Sequence, residues 1–156
     1  MKKILALVMA ALFLFAAVGC GAKEPADLKV DTAALLSDLE SKVPYPDEIN
    51  AIDSSMADML LTPDKLPEGA EAAIYLNSLS NVRILLVTCP DAAAAEGFVP
   101  VLKGFIDRQK DVNASYAPEE VEPLDNALLR QAGPYVVLVV SDDSAAAASV
   151  VDGYLK

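Results

Sequence analysis

The 156-residue chain has no histidine, no tryptophan and only two cysteines, Cys20 and Cys89. Without histidine, Ser-His-Asp and Cys-His catalysis and histidine-bearing zinc or iron sites are excluded, since no other side chain titrates near neutrality unperturbed. Aromatic residues are 6% of the total, so no platform for stacking sugar rings stands out. Basic residues are scarce too: 12 Lys and Arg oppose 23 Asp and Glu, a net charge of −11. With no dense basic run to meet a phosphate backbone, nucleic acid is not expected as a partner. The same sign repels anionic lipid headgroups, so any membrane attachment must come from the end of the chain.

What is present is apolar. Hydrophobic residues make up 54%, enough for a packed core, and the length fits one domain. The apolar residues begin at once: Met1, Lys2 and Lys3 form a positive head and Ile4 to Val18 an uncharged run, the pattern of a secretory signal. The run ends in "AVGC", Ala17 to Cys20. Small residues before a cysteine resemble the lipobox of bacterial lipoproteins, with Ala17 standing where Leu is usual. That pattern implies cleavage after residue 19 and acylation of Cys20, with an uncleaved membrane helix as the alternative. Cleavage removes Lys2 and Lys3 and takes the net charge from −11 to −13. The expected organisation is therefore a signal peptide over 1–19, a lipidated Cys20 with a flexible tether over 20–30, and a single domain over 31–156. At about 3.5 Å per residue the tether would hold the domain within roughly 35 Å of the membrane.

The folded part opens with helical spacing. Asp31 can cap a helix carrying Leu35, Leu36, Leu39 and Val43, stopped by Pro44 and Pro46. A shorter helix is expected in "DSSMADMLL", with Met56, Met59 and Leu60 on one side as core filler. Two later stretches align when slid by 52 positions: "RILLVTCPDAAAAEGFVPVLK" from Arg83 and "YVVLVVSDDSAAAASVVDGYLK" from Tyr135. Each follows a further apolar run and a turn, "AAIYLNS" with "LSN" and "ALLRQ" with "AGP". The unit is strand, strand, helix, used twice. The expected fold is α+β: one mostly antiparallel four-stranded sheet, helices packed on a face, and the Asp31–Val43 helix in front. Asp91 and Asp143 are the natural N-caps of the Ala-rich helices, and Pro100 must kink or split the first of them. The runs "ILLV" and "YVVLVV" are apolar on both faces, so the second face needs a cover, either the first helix or a partner such as a second copy.

Candidate chemistry is sparse. Cys89 ends a strand before a helix N-terminus, but with Cys20 acylated it has no second thiol and no histidine, so a buried structural role is expected. The stretch "YAPEEVEPLDNA" gathers Tyr116, Glu119, Glu120, Glu122, Asp125 and Asn126 into a candidate contact loop. It lacks the spacing of an EF-hand, and a solvated acidic loop is favoured over a calcium site. No metal and no cofactor are expected, and the glycosylation-like "NAS" at Asn113 is read as chance.

The segment "GFIDRQKDVNASYAPEEVEPLDNALLRQAGPYVVLVVSDDSA" behind a tethered cysteine resembles the small bacterial lipoproteins that carry domain of unknown function 4358. The likeness rests on Arg108 and Gln109, Tyr116 and Pro118, Leu124, Asn126 and Ala127, and Gly133, Tyr135 and Val136. It implies a lipid-anchored domain on the outer face of the cytoplasmic membrane, mostly of Gram-positive bacteria, with no assigned activity and no functional residues to carry over. The favoured reading is a non-enzymatic binding or interaction module of the cell envelope, contacting an envelope protein or a small ligand. The alternatives are an envelope hydrolase using a carboxylate pair or a bound divalent metal, and a structural module that self-associates as a homodimer.

Overall fold

A computed structural model describes residues 28–77 and 81–156. The expected signal sequence, Cys20 and the expected tether as far as residue 27 lie outside them. The chain folds as α+β around a five-stranded antiparallel sheet in the order β1-β2-β3-β5-β4. Helix α1, Thr32–Lys42, starts where the Asp31 carboxylate accepts the Ala34 amide at 3.0 Å and buries Leu35 and Leu39. Strand β1 is Ile49–Ile52, and a 3-10 turn, Ser54–Met56, leads into α2, Ala57–Leu61. Strands β2, Glu71–Asn77, and β3, Val82–Thr88, form a hairpin followed by α3, Ala92–Tyr116. A second 3-10 turn, Pro118–Glu120, and α4, Val121–Asp125, precede the hairpin of β4, Leu128–Ala132, and β5, Tyr135–Val139. Helix α5, Ser144–Tyr154, ends the fold.

The four expected strands are present, and β1 adds a fifth by pairing Ile49–Ile52 with Asn77–Ile74. Four residues with only partial apolar character carry too little signal alone; pairing with the free side of β2 makes them a strand. The packing departs from a simple repeat. Helix α3 covers one face, where Phe98, Leu102 and Phe105 meet Leu85, Val87, Val136 and Leu138. Helix α5 lies on the other, where Ala147 and Val151 join Leu35, Leu39 and Val43 of the α1 region over Ile84, Leu86, Val137 and Val139. Under the 52-residue slide Ile84 aligns with Val136, yet the two face opposite sides of the sheet; in space Ile84 pairs with Val139. A shift of odd parity moves a side chain to the other face, so similarity along the chain did not become similarity of packing.

The second apolar face is thus covered from within the chain, by α1 and α5. Asp91 and Asp143 cap α3 and α5, accepting from Ala94 at 2.7 Å and Ala146 at 2.8 Å. Helix α3 runs unbroken through Pro100, which sits on its exposed side, where the carbonyl deprived of its amide can meet water. The methionines are a correction: Met56 is 38% and Met59 60% exposed. The five-residue α2 turns Ala57 and Leu61, one turn apart, into the core instead. Among the described residues no helix is long and apolar enough to cross a membrane.

Among the described residues packing is already present at Leu28, three residues before the expected boundary. Leu28 lies against Gly133, the turn residue between β4 and β5, whose φ of +52° is a conformation glycine adopts without strain. The Val30 amide meets the Tyr135 hydroxyl at 3.4 Å. Strand register then defines two ends of the domain. Glu71, Thr88, Ala132 and Tyr135 share the end near which Leu28 packs; Ile49, Asn77, Leu128 and Val139 mark the other.

Candidate functional site

The 25-residue α3 spans roughly 37 Å from the end near Leu28 to the far end, at 1.5 Å per residue. There the segment expected as a loop folds into the 3-10 turn and α4, held down by a residue the sequence reading passed over. Arg83 is the extra residue of a bulge: Tyr75 pairs with Ile84 and Leu76 with Val82. Its side chain is wholly buried, and its Nη2 donates to Glu120 Oε1 at 2.7 Å and Oε2 at 2.6 Å. Glu120 is 5% exposed. It faces inward, and of the candidate contact residues it alone is buried. The signal for Arg83 was available: an arginine inside an apolar strand is buried only with a partner.

With Glu120 turned in, its neighbours face out. Glu119, Glu122, Pro123 and Asn126 form one wall of an open groove of about 300 Å³, and Ser141, Asp142 and Ser144 form the other. The second wall is the start of α5 and the loop that joins β5 to it, so the acidic segment and the Ser141–Ser144 stretch meet in space. Asn126 is braced by its Nδ2, which donates to the Glu122 carbonyl at 3.1 Å. Two remaining candidates are not part of the groove lining. Asp125 accepts from Lys110 Nζ at 3.1 Å, a bond that with Asp107 holds the Lys110 ammonium above its ordinary pKa. Tyr116 is 86% exposed at the end of α3. Val112, one turn before it, is 55% exposed.

The other sequence features are structural. Cys89 is buried beside Val87 and Ala95 in the core under α3; burial, and then the Asp91 carboxylate, push its thiol up in pKa, opposite to what an activated cysteine needs. Asn113 is buried, with Nδ2 donating to the Gln109 carbonyl at 2.9 Å. Among the described residues no group of three or more Cys, Asp or Glu is placed to hold a metal ion. No family model matches the chain, and neither a curated protein nor a solved structure matches it.

Proposed function

We propose that the chain is a lipid-anchored, extracytoplasmic binding module of the lipoprotein family it resembles, attached through acylated Cys20 and contacting its partner with the end of the domain opposite the tether. The observation that carries the second part is the separation of Leu28, packed on Gly133, from the Glu119–Glu122–Asp142 groove at the far end. Eight residues from Cys20 to Leu28 reach at most roughly 28 Å. The groove, beyond a helix of roughly 37 Å, is then the part best able to extend away from the bilayer. Its acids and exposed amide suit a partner bearing basic or hydrogen-bond-donating groups.

The test has two parts. Expression of the full chain in a lipoprotein-processing host, followed by mass spectrometry of the membrane fraction, should give Cys20–Lys156 plus a diacylglyceryl group. A chain still beginning at Met1 would reject the anchor. Photo-crosslinking residues at Glu122 and at Glu71, an exposed residue at the end where Leu28 packs, each introduced into the full chain, should then capture an envelope partner from Glu122 but not from Glu71. The reverse pattern would place the contact surface at the wrong end.

A further inference from the structure

Among the described residues, Arg83 finds acceptors for only part of its guanidinium. A guanidinium carries five N–H donors in a fixed plane, and Glu120 engages only Nη2. Nε and Nη1 are buried and have no partner among the described residues, in a side chain with no exposed surface. A charged group so placed needs acceptors, because the desolvation of each unmatched N–H is not repaid.

Beside it lies a cavity of about 10 Å³ bounded by Arg83, Gln109, Asn113 and Glu120, with Phe105 and Leu138 closing it. That volume is close to one water-sized sphere, and internal waters settle where a space of this size has two or more polar partners. We propose that this cavity binds one internal water, which accepts from Arg83 Nε–H or Nη1–H and donates to the Glu120 carboxylate or a neighbouring amide oxygen. A monatomic anion fits less well. Glu120 already neutralises Arg83, so a halide would bring an uncompensated charge into an apolar surround, and it needs more room than one water. An empty cavity fits less well too, since it would leave the buried Arg83 Nε and Nη1 without acceptors.

The water would complete the contacts that hold the Pro118–Asp125 segment to the sheet and so fix one wall of the groove. This inference is independent of the anchor and of any partner. It can be tested on the full lipidated chain in detergent micelles by NMR, reading cross-peaks between the water resonance and the Arg83 Nε–H. A long-lived internal water gives peaks of opposite sign in NOE and ROE spectra. Peaks of the same sign, produced by proton exchange, or no peak at either setting, would overturn the assignment. A titration from chloride-free buffer into sodium chloride should leave the Arg83 Nε shift unmoved; a saturable shift would show that an anion, not water, occupies the cavity.

Discussion

Under α3 the sheet buries a guanidinium and a carboxylate, whereas the fully buried residues of the cluster beneath α1 and α5 are all aliphatic. The contrast shows how one sheet can be closed by two kinds of force. Aliphatic packing is non-directional and depends on filled volume, so it accepts side chains of similar size. The Arg83–Glu120 pair is directional. It contributes little net stability over an apolar replacement but is costly to leave half made, and it decides where the acidic segment rests.

The comparison is broken most severely at Glu120. Replacing it by alanine leaves Arg83 buried without its counter-ion and should cost about 3–5 kcal/mol, read by urea denaturation. The double replacement Arg83→Met with Glu120→Leu should recover most of that loss; equal losses in the two proteins would mean that the segment is held by something other than the pair. On the aliphatic side Leu39→Ala should cost about 2–5 kcal/mol by opening a cavity, while Leu39→Met should cost less than about 1.5 kcal/mol. A methionine penalty as large as that of Glu120→Ala would remove the distinction between the faces.

Smaller effects separate the two helices. Asp91→Ala and Asp143→Ala should each cost about 1 kcal/mol through loss of an N-cap. Because Asp143 stands beside Asp142 in the groove wall, only Asp143→Ala should also shift the NMR resonances of Ser141 and Asn126. The smallest effect belongs to Cys89. Its thiol is raised in pKa in the folded state, so its contribution to stability is full below the unfolded thiol's pKa and is lost as pH rises through the folded one. Stability of the wild type should therefore decline more steeply at alkaline pH than that of Cys89→Ala. Coincident alkaline profiles would show that the buried thiol does not contribute.

Much of the architecture was legible because it is written in neighbouring residues. Asp31, Asp91 and Asp143 each precede a helix whose third residue onward supplies the capped amide, and the apolar runs of β3 and β5 are bounded by turn residues. Strand β1 was not legible, since four residues become a strand only beside β2. Nor were the inward turn of Ala57 and Leu61 or the placing of α5, which depend on helix phase and strand parity. Of the candidate site, Glu119, Glu122 and Asn126 meet in the groove, but their opposing wall is Ser141, Asp142 and Ser144. Those two stretches are joined through β4 and β5, and composition gives no measure of that distance.

The amino-acid sequence alone determined the absence of histidine chemistry, the acidic surface charge, the lipobox-like cysteine and the local starts and stops of the elements. Each is a property of composition or of bonds spanning three or four residues. Tertiary structure decided which face each helix covers and which glutamate is buried. Arg83 and Glu120 stand 37 positions apart, and whether a carboxylate is a solvated surface group or a buried counter-ion depends on what surrounds it in space.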